Sequence, residues 1–369
     1  MNSQVKEDTL GKAKEYSSLK YALVIIDTIY LLVLLFVFVG LGFSKNLALF
    51  VLSLSANNYF VIPAYLFLLS VIYLFFSFPL NFYGSYYVEH KFNLSNQKLS
   101  NWFIDQLKSF ILSYIIGLVL LSAFYFILNR FQQNWWLVIS LFWILFSLIL
   151  AKLTPTIIIP LFFKYKKLSD ESLRERIMNL AKKMGVSLLD CFEIDLSSKS
   201  LKANAAFVGL GRSRRVLLAD TLKDKYSQEE IEVILAHEFA HYKLKHLTKL
   251  IIVNSLATFL VFYLIFITNH FVLNLFGFDS LSQISALPIV FIYFVLFGVI
   301  SQPLTCFYSR VLEREADKLA LKTTGMKEAF ISTMDKLATQ NLADRNPHPI
   351  IKFFFFDHPP IDERIKLAK

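Results

Sequence analysis

The chain has 369 residues, 56% of them hydrophobic and only 18% charged, with 38 Phe and a mean hydropathy of +0.52. Such a chain cannot be disordered or collagen-like, and its two cysteines, Cys191 and Cys306, cannot build a disulfide framework, so both read as reduced. A formal charge of +10 would suit a nucleic-acid binder in a soluble protein, but no aromatic-rich soluble sheet or recognition helix accompanies it, and the basic residues read as topology determinants of a membrane protein.

A hydrocarbon core about 30 Å thick is crossed by roughly 20 apolar residues in a helix. Runs of that kind occupy 21–43, 59–82, 103–128, 135–163, 247–271 and 284–307. The first is longer than the roughly 7–15 residues of a signal-peptide apolar region, so it reads as a permanent helix. Asp27 within it either sits near the cytoplasmic end or marks an ion path. In the fourth run Lys152, Pro155 and Pro160 predict a bend or an early exit from the bilayer. The connecting segments alternate in charge. Lys6, Lys12, Lys14 and Lys20 precede the first run and only Lys45 follows it; Lys91 and Lys98 lie in the next connection and only Arg130 in the one after. The long connection begins with Lys164, Lys166 and Lys167 and ends with Lys243, Lys245 and Lys249, the next has no Lys or Arg, and the tail is basic from Arg310. Six spans with both termini cytoplasmic satisfy this pattern.

The expected architecture is mainly α: a polytopic membrane bundle or barrel of about six spans, with a cytoplasmic part that contains a small β-hairpin sheet. Its domains are 1–163, an N-terminal membrane domain with four spans, and 164–369, a second domain that adds the spans 247–271 and 284–307 to the soluble stretches. In the soluble stretch, 203–210 and 215–219 read as strands joined by a turn containing Gly211, a hairpin with a free edge for strand addition.

Ser227 and Glu230 form a capping-box signature that opens a helix. On that helix lies His237-Glu238-Phe239-Ala240-His241, whose imidazoles are four residues apart and share a face, while Glu238 is turned about 100° further round. Two imidazoles so placed suit one Zn²⁺, with Glu238 as general base beside its open position. A third ligand is needed. The chain returns to the same side after 307, where Glu313 and Asp317 share a helix face and Glu315 points away with Arg314 as a surface residue. Glu313 is assigned as that ligand, and Asp317 as the carboxylate that holds the free ring nitrogen of a ligand imidazole. His246, His90, His270 and His348 gain no role from their spacing.

With these residues the chain resembles the CAAX prenyl protease 1 family, integral-membrane zinc metalloproteases that cut C-terminal to an isoprenylated cysteine. The resemblance also rests on Glu89-His-Lys-Phe-Asn93, Pro155-Thr-Ile-Ile-Ile-Pro-Leu-Phe162, Asn204-Ala-Ala-Phe-Val-Gly209, Arg215-Val-Leu-Leu-Ala-Asp-Thr-Leu222 and His358-Pro-Pro-Ile-Asp-Glu-Arg364, in that order. It implies a ring of membrane helices enclosing a chamber, and a peptide substrate lying along a strand edge. It further implies that Asn204 and Ala205 hold the substrate backbone, that His358 donates to the substrate carbonyl as a second catalytic residue, and that Arg364 faces the site and binds substrate. Unlike the seven-span eukaryotic members, this chain reads as starting after their first span and lacks their acidic insertion; the compact form suits a bacterial inner membrane. A quality-control zinc protease acting on unprenylated membrane proteins fits the same residues. A transporter or binding protein with a structural zinc would need polar residues at mid-membrane, and spans two to six are apolar through most of their length.

Overall fold

The computed structural model describes residues 3–209 and 214–369. Helix α1 (Ser3–Gly40) stops at a turn where Gly42 takes φ 75°, a left-handed conformation that favours glycine. A short apolar helix, α2 (Phe43–Leu54), follows where the sequence pattern suggests a loop. The Nζ of Lys45 donates to the carbonyl of Gly277 at 2.6 Å and lies 4.5 Å over the ring of Phe278. This basic residue therefore sits just beyond the C-terminal end of a later helix, where the backbone dipole favours a cation.

Helices α3 (Asn58–Phe82), α4 (Leu99–Arg130) and α5 (Trp135–Leu153) come next. Helix α3 continues through a π-helical turn, Tyr83–Tyr87, to Lys91, and α5 continues through another, Thr154–Ile158, to Phe162. The break expected around Pro155 is thus a widened turn instead of an end, because the wider ring reroutes hydrogen bonds around a residue that has no N–H to give.

The soluble part opens with β1 (Tyr165–Lys167), α6 (Glu171–Met184) and β2 (Asp190–Ile194), then β3 (Ala205–Val208) and β4 (Arg215–Ala219). The sheet order is β1-β2-β4-β3, with β2 parallel to β4 and the two outer strands antiparallel to their neighbours. Strands β3 and β4 stand where the sequence pattern puts them, β3 starting two residues later than expected; the joining turn, with Leu210 and Gly211, lies outside the described residues. Strand β2 leaves no clear pattern because Asp190 and Glu193 are both buried in it, which hides any alternation.

Helix α7 (Gln228–Lys243) is followed by α8 (His246–Leu275), α9 (Leu287–Thr324), α10 (Lys327–Gln340), α11 (Pro349–Phe355) and α12 (Ile361–Ala368). Among the described residues six helices are long and apolar enough to cross a membrane: Leu10–Gly40, Tyr59–Lys91, Leu99–Arg130, Trp135–Phe162, His246–Leu275 and Ile284–Thr324. They coincide with the six apolar runs and extend beyond them at most ends. Phe75, Phe126, Phe271, Ile300 and Leu304 are exposed on these helices, an apolar surface that hydrocarbon would cover. One soluble core joins Leu173, Ile177 and Leu180 of α6 to Val216 and Leu218 of β4, Ile231, Leu235 and Phe239 of α7, and Ala316 and Ala320 of α9. Each large aliphatic side chain sealed there contributes about 1.5–3 kcal/mol.

Candidate metal centre

Helix α7 starts as its sequence predicts. The Ser227 Oγ accepts the Glu230 N–H at 3.3 Å, and Glu230 Oε2 accepts the Ser227 N–H at 2.8 Å. Lys336 and Ser332 of α10 then hold the same buried carboxylate, fixing the helix against its neighbour.

One turn before its end α7 presents His237 and His241 with their Nε2 atoms 3.1 Å apart. Glu313 of α9 meets both: Oε2 lies 3.1 Å from Nε2 of His237 and Oε1 lies 3.2 Å from Nε2 of His241. The approach is close because Ala236 and Ala240 on α7 and Ala316 and Ala320 on α9 are small and wholly buried in the core these helices share. Helix α9 is unbroken from the last span to Thr324, so the carboxylate is delivered by a rod and not by a loop.

Behind His237, Asp317 is fully buried, with Oδ1 2.9 Å from Nδ1 of the imidazole. Arg364 of α12 closes on the same carboxylate, Nε donating to Oδ2 at 2.8 Å and Nη2 to Oδ1 at 2.7 Å. The family resemblance implies that Arg364 binds substrate. Instead two of its nitrogens are committed to Asp317 and it is 8% exposed, so it stands behind a candidate ligand.

His241 has an outer partner that spacing does not reveal. Its Nδ1 is 3.0 Å from Nδ1 of His246, which is 1% exposed, and Nε2 of His246 is 3.1 Å from Oε2 of Glu315. Glu315 is partly exposed as expected, but it turns toward His246 and Lys249 instead of away. The signal for His246 is its place just after the HExxH helix; the missing information is the turn at Lys245, whose φ of 56° swings the chain back.

His358 lies between α11 and α12 with its side chain half exposed and Nε2 3.4 Å from Oε2 of Glu313. Arg310 of α9 fastens this loop, donating from Nη1 to the carbonyls of Lys352 and Phe356. Burial opposes charge on His358, but Asp357 and Glu313 outweigh it and raise the pKa. Glu238 is partly buried and has no hydrogen bond or ion pair to any described residue. Strand β3 is the outer strand of the sheet, and its far edge pairs with no strand among the described residues. The carbonyl of Asn204 is already taken by the Ala219 N–H at 3.1 Å, which leaves its exposed side chain, and the alternation of the ladder turns the backbone groups of Ala205 toward that far edge.

These side chains fit a metal ion. Ligand atoms of His237, His241 and Glu313 all lie within 4.8 Å of one another, and Oε2 of Glu313 is sealed from solvent without a hydrogen-bond partner among the described residues. Ligands about 2.0–2.1 Å from a tetrahedral ion stand about 3.3 Å apart, close to the spacing here. Burial disfavours the charged form of His237, yet Asp317 and Glu313 overcome it and raise the pKa to about 9; a site that attracts a proton so strongly attracts a cation for the same reason.

Known proteins resemble the chain over its whole length. Residues 1–164 match the family model for the CAAX prenyl protease N-terminal region, five membrane helices, and residues 167–369 match that for peptidase family M48. CAAX prenyl protease 1 of Saccharomyces cerevisiae is 30% identical over 99% of this chain and 86% of its own length. The uncharacterized metalloprotease YhfN of Bacillus subtilis is 29% identical over 100% of this chain and 87% of its own. The crystal structure of S. mikatae Ste24p matches with a TM-score of 0.88 at 28% identity, over 100% of this chain and 90% of that one. The helical membrane fold, the donor cluster and these matches lead to one conclusion: the chain belongs to peptidase family M48, as a multi-pass membrane metallopeptidase of the CAAX prenyl protease type.

Proposed function

We propose that the catalytic metal is zinc, held by His237, His241 and Glu313, and that the enzyme cuts C-terminal tails next to an isoprenylated cysteine. The observation that carries the assignment is the convergence of two imidazole nitrogens and one buried carboxylate beside Glu238, a carboxylate with no hydrogen bond or ion pair to any described residue. A His₂Glu donor set with an open fourth position is that of a catalytic zinc. Relatives named CAAX prenyl protease 1 support the substrate class.

Bound by these side chains, zinc supplies Lewis acidity to the scissile carbonyl and to the attacking water. Glu238 takes the proton from that water and returns it to the leaving nitrogen. His358, held at the rim by the Arg310 contacts, donates a hydrogen bond to the carbonyl oxygen as charge develops on it. Asp317, braced by Arg364, lies 2.9 Å from Nδ1 of His237, where it favours the proton on that nitrogen and leaves the Nε2 lone pair for the metal. The substrate adds as a strand to the far edge of β3, meeting the backbone of Ala205 and the side chain of Asn204.

The division of labour follows, with 1–163 as membrane domain and 164–369 as metalloprotease domain. Both termini and the metal site face the cytoplasm, across a bacterial inner membrane. Supporting this orientation are Lys164, Lys166, Lys167, Lys243, Lys245 and Lys249 on one side and the absence of Lys and Arg between α8 and α9 on the other.

The test is cleavage by purified protein in detergent of a farnesylated C-terminal peptide and its unprenylated twin, with Glu238→Gln alongside. Preference for the farnesylated peptide, zinc near one ion per chain, and a variant that keeps zinc but loses turnover are expected. Equal cleavage of both peptides would replace the prenyl reading with proteolysis of unprenylated tails. Full activity of Glu238→Gln would remove Glu238 from the mechanism.

A further inference from the structure

We infer that His246 is a positioning residue that, with Glu315, sets the tautomer of His241. The inference rests on the metal-site reading above and extends it to the second ligand imidazole. Nε2 of His241 points into the donor cluster, 3.2 Å from Glu313, and its Nδ1 points the other way, 3.0 Å from Nδ1 of His246. Two facing ring nitrogens at that distance can share only one proton, so one ring donates and the other accepts.

Glu315 decides which. Its carboxylate is 3.1 Å from Nε2 of His246 and is also held by Lys249 at 3.1 Å, so it is an ionised acceptor. It therefore keeps the His246 proton on Nε2 and leaves Nδ1 of His246 with a lone pair. Nδ1 of His241 must then carry its proton and donate, and Nε2 of His241 is left with the lone pair that a metal needs. The order of protons is fixed from the protein surface inward, Glu315 to His246 to His241.

A second observation marks the arrangement as imposed. Lys245 takes φ 56° and ψ 34°, a left-handed conformation that is unfavourable for a residue with a side chain, and it is this turn that lays the first residue of α8 back against His241. His246 is 1% exposed, so its ring is shielded from bulk solvent at the contact. The two ligand imidazoles thus have different supports: an arginine-braced carboxylate for His237 and a relayed one for His241.

The decisive measurement is the zinc dissociation constant of the full-length protein in detergent, by competition with a chelator, for wild type, His246→Leu, His246→Asn and Glu315→Gln. Asn can place an oxygen acceptor near the Nδ1 position, whereas Leu cannot. Affinity is expected to fall roughly 10–100-fold for Leu and to be largely restored by Asn. Glu315→Gln, at a partly exposed position where folding is not at stake, is expected to weaken zinc as well, and ¹⁵N-histidine NMR of that variant to show His241 losing its pure Nδ1–H tautomer. Leu and Asn variants that bind zinc as wild type does would overturn the inference, as would equal losses in both, which would point to packing alone. A Glu315→Gln protein with unchanged affinity and tautomer would also overturn it. Wild type that takes up no zinc would instead fail the metal reading itself, and this inference with it.

Discussion

Asp317 has no exposed surface and faces Nδ1 of His237 on one side and the Arg364 guanidinium on the other. Its place is legible because four residues after Glu313 is the same face of the same helix. The partner it serves with is not, because Arg364 is 47 positions away and only the packing of α12 on α9 brings it in. His246 escapes sequence reasoning for a related reason: helix periodicity predicts neighbours only while the helix lasts, and Lys245 ends it with a left-handed turn. Removing the charge of Asp317 while keeping its shape, as Asp317→Asn, strands a buried guanidinium. Breaking a buried pair in this way costs about 3–5 kcal/mol. Thermal unfolding of the zinc-stripped variant in detergent should therefore show a clear loss against stripped wild type, before any effect on catalysis is considered. Equal stability of the two would mean that Arg364 finds another partner and that Asp317 does not brace the site.

The membrane helices are legible as elements because a run of about 20 consecutive apolar residues is seldom anything but a membrane span. Helix α2, 12 residues long, falls below that threshold, and the strands β1 and β2 are too short and too charged to show a period of two. What sequence does not convey is the closeness of α7 and α9, whose shared core includes four small, wholly buried residues, Ala236, Ala240, Ala316 and Ala320. That closeness is testable at Ala316, which is wholly buried. Ala316→Leu adds three carbons where there is no space; overpacking of this kind costs about 1–3 kcal/mol. It also pushes Glu313 outward from the two imidazoles, so the purified variant is expected to carry less zinc than wild type at equal protein concentration, with its helix content unchanged by circular dichroism. A variant with full zinc would show that Glu313 reaches the site without close helix packing.

At the scale of the whole molecule, the distribution of charge supports the orientation proposed for the chain in the bilayer. The connection between α8 and α9 carries no Lys or Arg, whereas the segment from Lys164 onward and the residues around α7 are basic. By the positive-inside rule this distribution supports the proposed orientation, with the metal site on the cytoplasmic side. The native cysteines make this checkable with little background: Cys191 has no exposed surface and its thiol is pushed up to about 12, chiefly by burial and then by Asp190, while Cys306 is also buried. A thiol held so far above neutral pH is almost wholly protonated and reacts slowly. Two exposed positions serve as reporters, Ser282 between α8 and α9 and Lys166 in β1. In intact cells a membrane-impermeant maleimide is expected to label Ser282→Cys and not Lys166→Cys, and permeabilisation should make Lys166→Cys react. Labelling of Lys166→Cys in intact cells, with Ser282→Cys protected, would invert the protein in the membrane and put the peptidase site outside, where a protease for cytoplasmic prenylated tails could not work.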